Sequence, residues 1–594
     1  MSYRHRTACS LLALSLALAA ATPALAQQNP PALQAVVGHD SGERITRSAD
    51  VRRYFEALQA ANPDRVVMGD YARSWEGRPL FWAAVGSPRN IARLNAIKAA
   101  TNALADPRKT SPEQARALIN DTPAIVWMAY SVHGNEISPA DAALTAARRL
   151  TDSLDAEAQG WLENVVVVFV PTQNPDGRER FINSFEAGLG AQPNGDPLSA
   201  ERAEPWPSGR FNHNLFDLNR DWFIQSQPET QGHAALIREW RPQVVVDSHE
   251  MGTDSSFFFP PEAEPLNPWI YPAILEARER FGRNNAARFD QAGLDYFTRE
   301  TFDAFYPGYG DGWPAYFGAV SMTYEQGSSR GLLARRSSGE MLTYADTVQG
   351  HLTATLSTIE TAARDREKLL NDFYAFHRDG MAGGRGAYVL SRSSAADPAA
   401  ADKLAGLLVR SGLEVGRATA SFSACGQSYQ AGDYVVNLSQ PQRRMAETLL
   451  AKDVPLDPKF LAEQEARRAR GLSDEIYDLT GWSLPLLFNV PSQRCANAPS
   501  VQTAAVGPEL IRPAAVASGD AAYGYAIHPG TAGMRFLTAA LTDRLPVRSI
   551  EEPFTLDGRA YPGGTFIVPR AGSPDDLDER VRRLAAGSGA QVTP

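Results

Sequence analysis

The sequence predicts an α/β protein: a helix-flanked sheet in roughly the first two-thirds of the chain, then two small, repeated α/β modules. Three observations lead there. Short β-branched apolar runs alternate with amphipathic Ala/Arg/Leu-rich stretches upstream of residue 377. The Gly-rich stretch Arg378-Asp-Gly-Met-Ala-Gly-Gly-Arg-Gly386 then breaks a helical pattern that runs from Gln349 to His377. Beyond it, Phe422, Gly426, Tyr429, Gly432, Tyr434 and Val436 recur as Phe554, Gly558, Tyr561, Gly564, Phe566 and Val568, always 132 residues further on.

The chain opens with Arg4 and Arg6, an apolar run from Leu11 to Ala21, and Pro23-Ala24-Leu25-Ala26. The run is too short to span a bilayer and ends in a small-x-small site, so residues 1–26 are expected to be an export signal. Cleavage would remove two arginines and take the formal charge from −10 to −12. The protein is then expected in a periplasm or outside the cell, with no membrane span left. Export leaves Cys425 and Cys495 either as one disulfide or as two buried thiols. With 43% apolar and 21% charged residues, the 594-residue chain is neither a disordered polymer nor a multi-span membrane protein. It has no basic cluster, which argues against a nucleic-acid partner. Oligomeric state leaves no trace in the sequence.

The expected buried strands are Ala124–Tyr130, Val165–Val170, Val244–Val246 and Val320–Tyr324; each is apolar on both faces and followed by a polar loop. Ser138–Leu150 and Pro272–Gln291 read as helices packed on them. This organisation gives a catalytic-type domain over 45–378, a first module over 384–447, a connecting segment over 448–517 and a second module over 518–594. Each module pairs a strand and helix with a Tyr-x-x-Gly turn leading into a final strand. Neither copy holds a cluster of His, Cys or carboxylates, so both read as accessory.

Chemistry concentrates at strand ends. Ala124–Tyr130 runs into Ser131-Val-His133-Gly-Asn-Glu136, which places an imidazole and a carboxylate three residues apart where open α/β sheets hold ligands. A second histidine, His249, follows Val244–Val246. Two histidines and a glutamate with an open fourth position make a catalytic zinc set. Glu250 is the less suitable third ligand, because its neighbour His249 should face the metal. Asn219 and Arg220, in Asp217-Leu-Asn-Arg, offer an amide and a planar fork suited to a substrate carboxylate. Glu325 ends the strand that carries Ser321-Met-Thr-Tyr and could serve as a general base.

Together these segments resemble the zinc carboxypeptidase family, the relatives of carboxypeptidase A. The ordered motifs are Ser74-Trp-Glu-Gly-Arg-Pro-Leu80, His133-Gly-Asn-Glu136, Asn174-Pro-Asp-Gly177, Asp217-Leu-Asn-Arg220, Ser248-His249 and Thr323-Tyr-Glu325, spread over some 250 residues. The resemblance implies a mixed central sheet and one Zn²⁺ held by His133, Glu136 and His249. It implies Glu325 as base for zinc-activated water, and Asn219 and Arg220 as the grip on a peptide's free C-terminal carboxylate. An arginine that polarises the scissile carbonyl is expected at Arg210, with Arg178, Arg180 and Arg202 as rivals. The tyrosine that closes over substrate is expected at Tyr306, with Tyr309 second. Asp311, in the same loop, would attract a terminal Lys or Arg. The rival readings are a zinc amidase acting on acylated amino acids or peptidoglycan stem peptides, and a non-catalytic binder of peptide ends.

Overall fold

The computed structural model describes residues 29–478, 480–512, 520–556 and 558–594. The expected export signal, 1–26, and Cys9 lie outside the described residues, as do 513–519, where the connecting segment meets the second module.

Seven strands form the central sheet: β1 (Val66–Arg73), β2 (Pro79–Val85), β3 (Ala124–Tyr130), β4 (Val165–Val170), β5 (Val244–Met251), β6 (Phe257–Phe258) and β7 (Val320–Gly327). Their order is β1-β2-β4-β3-β5-β7-β6. β4, β3, β5 and β7 run parallel, whereas β1, β2 and β6 are antiparallel to their neighbours, so the sheet is mixed. The sequence explains the parallel core: β4 is Val-Val-Val-Val-Phe-Val and β3 Ala-Ile-Val-Trp-Met-Ala-Tyr, both buried at every position. A strand with no polar face has to be covered by helices on both sides.

Those helices are α1 (Ser48–Ala61), α2 (Ser138–Thr151), α3 (Pro175–Gly188), α4 (Pro228–Trp240), α5 (Pro272–Ala292), α6 (Tyr344–Arg364) and α7 (Arg366–Gly383). The expected helical stretch 349–377 is thus two helices interrupted at Asp365. Alternation along β4 sorts the core by face. Val165, Val167 and Phe169 pack with Tyr54, Phe55, Leu144 and Ile359. Val166, Val168 and Val170 pack with Trp127, Ile237 and Trp240. That second cluster continues without a break into Leu390, Leu404, Tyr434 and Trp482 of the C-terminal third.

The first module is built on an antiparallel sheet whose strands lie in the order Ser492–Cys495, Ala387–Leu390, Tyr434–Asn437, Gly416–Ala418, Thr503–Ala505. The two edge strands come from the connecting segment, which therefore completes the module rather than merely leading away from it. In the second module the order is Arg548–Ile550, Thr565–Pro569, Gly524–Ile527, Val592–Thr593.

The 132-residue repeat has a structural cause. Hairpins Phe422–Ala424/Gln427–Tyr429 and Phe554–Leu556/Arg559–Tyr561 each stack their Phe on the facing Tyr, at 5.1 and 4.9 Å between ring centres. Both tips need a residue with positive φ, Gly426 at 75° and Gly558 at 76°. Aromatic pair and turn glycine together fix the spacing. Cys425, in the first of these tips, is disulfide-bonded to Cys495 on the edge strand, with Cα atoms 5.4 Å apart. Among the described residues no helix is long and apolar enough to cross a membrane.

Candidate metal centre and catalytic pocket

The site lies along the carboxyl ends of β3, β5 and β7. Past β3 the chain turns through Ser131, whose φ is +53°, and the Ser131 hydroxyl donates to the Glu136 carbonyl 2.9 Å away. The turn packs so tightly on the start of α3 that a Cβ at Gly134 would run into the backbone of Gly177 and Arg178. Gly134 is therefore a packing requirement that holds His133 and Glu136 in place, whereas a Cβ at Gly177 would meet the carbonyls of Gly209 and Phe211 on either side of Arg210. On the neighbouring strands the parallel register sets His249 directly opposite Glu325.

His133, Glu136 and His249 are buried, and their potential ligand atoms all lie within 4.8 Å of one another. His133 Nδ1 is 2.7 Å from Glu136 Oε1 and His249 Nδ1 is 3.0 Å from Oε2. Both Nε2 atoms face away, to Asp217 Oδ1 at 3.0 Å and to Asp247 Oδ2 at 3.0 Å. Carboxylates behind both rings favour the Nε2–H tautomer, leaving each Nδ1 lone pair beside the Glu136 oxygens. Two imidazole nitrogens, one carboxylate and a pair of orienting carboxylates fit a zinc ion.

A buried chain of hydrogen bonds continues behind Asp247. Gln173 Nε2 donates to Asp247 Oδ1 at 2.9 Å, the Gln173 carbonyl lies 3.0 Å from His233 Nδ1, and Trp127 Nε1 donates to His233 Nε2 at 2.8 Å. An indole can only donate, so this end fixes the sense of the whole chain. Burial keeps His233 neutral, with its pKa lowered to about 4 despite the attraction of Asp247.

Charge is distributed unevenly over the centre. Burial would raise Glu136, but the two histidines outweigh it and hold this carboxyl well below its ordinary value. Burial likewise opposes ionisation of His249, and Asp247 and Glu136 overcome it, raising the imidazole well above its usual range. Asp217 is held below the ordinary carboxylate value by His133, Arg210 and Arg220, again against burial. Glu325 goes the other way: burial, reinforced by Glu136, pushes it up to about 8 against the pull of His249 and Arg210.

All three prospective ligands line a cavity of about 230 Å³ together with Glu325, Arg210, Asn219 and Arg220. Of the four candidate arginines only Arg210 lines it. The Arg210 guanidinium grips Asp217 Oδ2 through Nε and Nη2, at 3.1 and 2.9 Å, with Nη1 3.8 Å from Glu136 Oε1. Arg178 is fully buried elsewhere on Asp141 and the carbonyls of Thr46 and Ile137. Arg180 donates to the carbonyls of Ser208, Phe211 and Asn212, and Arg202 to those of Ser329 and Leu333. Asn219 accepts a hydrogen bond from the Gly310 N–H at 2.7 Å. Of the two tyrosines, Tyr309 lines the cavity, its ring 4.5 Å from the Arg220 guanidinium carbon. Tyr306 is buried behind it, ring to ring at 4.7 Å. The side chain of Glu250 turns to the start of α2, accepting from the Ile137 and Ser138 N–H groups at 3.1 and 2.9 Å. Asp311 lines the cavity beside Glu262 and Asp303.

The sequence model of the zinc carboxypeptidase family matches residues 51–360, just over half of the chain. The chain belongs to this family. It is accordingly a zinc metallopeptidase, and the α/β domain with its mixed sheet is the zinc carboxypeptidase fold. Among solved structures, carboxypeptidase A from Helicoverpa armigera is 16% identical and aligns over 58% of this chain and 79% of its own, with a TM-score of 0.37. The metallo-carboxypeptidase of Burkholderia cenocepacia is 16% identical over 53% of this chain and 68% of its own, with a TM-score of 0.35. That of Pseudomonas aeruginosa is 16% identical over 54% and 69%, with a TM-score of 0.36. No curated protein matches the chain.

In this zinc carboxypeptidase, sequence reasoning missed Asp217 and Asp247 as orienting carboxylates, the Gln173–His233–Trp127 chain, and two residues from far outside the family domain. Tyr477 lines the cavity, and Asp478 Oδ2 is 2.7 Å from Arg220 Nη2. Asp247 had a signal, since period-two alternation puts it on the same face of β5 as His249.

Proposed function

We propose that the chain is an exported metallocarboxypeptidase that hydrolyses the C-terminal peptide bond of peptides. The observation that carries this reading is one small cavity holding the His-Glu-His group, Glu325 and the Asn219–Arg220 pair. His133, Glu136 and His249 would hold the ion. Zinc there would supply Lewis acidity to the scissile carbonyl and to the attacking water, and its charge would draw the raised pKa of Glu325 downward.

The protein groups then divide the work. Arg220 and Asn219 take the free carboxylate of the terminal residue, which sets the scissile bond one residue inward. Arg210 faces the carbonyl oxygen as negative charge develops there. Glu325 removes a proton from water as the water oxygen bonds to the carbonyl carbon. It then passes that proton to the departing amine nitrogen as the C–N bond breaks. A shortened peptide and a free amino acid result. Asp303 and Asp311 line the cavity as carboxyls that burial raises, and Arg278, 2.8 Å from Glu262, also draws Asp311 back down. A terminal Lys or Arg would suit this wall better than an acidic residue. The intact set of metal ligands and base favours an enzyme over a non-catalytic binder. The Arg4-to-Ala26 pattern supports export to a periplasm or the exterior.

The test compares peptides that differ only in a free or amidated C-terminus. The zinc-loaded protein should cleave the acid with kcat/KM at least about 100-fold above the amide, and Arg220→Ala should erase most of that ratio. Equal cleavage of both forms would overturn the assignment.

A further inference from the structure

We infer that the C-terminal third contributes two substrate-site residues to this enzyme: Tyr477 as a wall of the terminal-residue pocket, and Asp478 as a built-in competitor for the Arg220 clamp. The inference rests on the proposed role of Arg220. It starts from a position: both residues belong to the segment that follows helix Pro458–Ala469 and lies beyond the family match. They are nevertheless at the pocket.

Contacts on both sides hold the segment there. The Tyr477 N–H donates to Asp303 Oδ2 at 2.8 Å, and the Tyr477 ring packs on Phe302 at 4.9 Å. Trp482 packs on Phe305 at 5.4 Å and on Tyr306 at 5.8 Å. Between these anchors the Asp478 carbonyl accepts from the Tyr309 hydroxyl at 2.9 Å, and its carboxylate meets Arg220. Arg220 therefore sits against the Tyr309 ring while bound to a carboxylate, the same group that a peptide's C-terminus would present.

Magnitude decides whether this contact blocks the site or only competes for it. The Asp478 side chain is 51% exposed and that of Arg220 is 24% exposed. A pair this open to water adds little to stability, equivalent to a factor of about two to five in an equilibrium constant. A substrate carboxylate, which would gain Asn219 and the pocket walls as well, can displace it. Asp478 thus shields the clamp and taxes binding only of ligands that need Arg220. Tyr477, as a wall, acts on every ligand of the pocket.

The experiment reads binding in the zinc-loaded, full-length Glu325→Gln protein, so that ligand is not consumed. Calorimetric titration would use N-benzoyl-Gly-Phe and its C-terminal amide. Asp478→Asn should tighten the acid about two- to fivefold and leave the amide unchanged. Tyr477→Ala should weaken both, and Tyr477→Phe should restore both. A merely structural Asp478 would not separate acid from amide. Acid affinity that is unchanged or weaker in Asp478→Asn, in a protein whose parent hydrolyses the acid, overturns this inference alone. Equal affinity for acid and amide in every variant removes the clamp, and with it both this inference and the exopeptidase reading.

Discussion

Asp247→Asn tests whether the buried chain behind His249 sets the zinc centre. The native sense runs from the donor-only Trp127 indole through His233 and Gln173 to Asp247, whose other oxygen is 3.0 Å from His249 Nε2. An amide at 247 can satisfy His249 with its oxygen, but its NH₂ then confronts the Gln173 NH₂. If Gln173 flips, His233 must move its proton to Nε2 and meet the Trp127 N–H. If the introduced amide flips instead, its NH₂ faces His249 Nε2 and shifts the proton to Nδ1, the atom expected to bind zinc. Every arrangement leaves one buried mismatch, at a cost of about 1–3 kcal/mol. Zinc affinity should fall about 10- to 100-fold, or about 1.4–2.8 kcal/mol. Competition for zinc against a chromophoric chelator measures it, with circular dichroism to confirm the fold. Adding Trp127→Phe removes the donor that locks the chain, so His233 can reverse and the double variant should regain about half of the lost free energy. Zinc affinity within about twofold of the parent in Asp247→Asn, or a double variant that simply adds two losses, would refute the chain as the cause.

Two further outcomes follow from the same structure. Glu325→Gln should bind zinc as tightly as the parent yet lose at least about 1,000-fold in kcat, because the isosteric amide cannot take up the proton of water; stopped assays alongside metal analysis check this, and residual activity above one-tenth would assign the base elsewhere. Burial depresses His233 to about 4 and both His351 and His377 to about 3, so these imidazoles stay neutral in the fold while the unfolded chain protonates them below about 6.5. Each therefore withdraws stability as pH falls through that window, roughly 2 kcal/mol at pH 5. His377→Leu should narrow the difference in urea midpoint between pH 7.5 and pH 5, and an unchanged difference would exclude His377 as a source of acid sensitivity.

How much of this was legible in the sequence depended on how local each cause was. β3 and β4 match their expected bounds, since an apolar run buried on both faces announces a parallel strand. β5 and β7 extend past theirs, to Met251 and Gly327, because the polar tails Asp-Ser-His-Glu and Glu-Gln remain in the ladder to present site residues. β1, with only Val66 buried, mixes Gly, Asp and Arg with apolar residues and gave no comparable signal. Motif residues His133, Glu136, His249, Asn219, Arg220 and Glu325 do converge on one cavity. Tyr306 and Tyr309 could not be separated by spacing, because a loop side chain's direction depends on what packs behind it; here Phe223 and Trp482 hold Tyr306 inward. Asp478 reaches Arg220 across 258 positions, and no local pattern encodes such a pairing.

That long reach follows from how the C-terminal third is attached. A module on a mobile tether could not hold an aspartate against one guanidinium. Here Trp313, Phe317 and Phe376 of the family-type domain share one apolar cluster with Tyr388, Leu404, Leu407 and Tyr434 of the first module. Full burial of such side chains is worth roughly 1.5–3 kcal/mol each, far more than an open linker contact. Polar links lie at the margin of this cluster: Arg108 meets Glu414 at 2.7 Å, and the Arg444 guanidinium lies 4.9 Å from the Tyr271 ring centre. The connecting segment then supplies both edge strands of the module's sheet, which fixes its two ends, and brings Tyr477 to the pocket and Trp482 against Phe305. Tyr477 thus gives the pocket a wall drawn from outside the family domain, so the inferred substrate site draws on both parts of the chain.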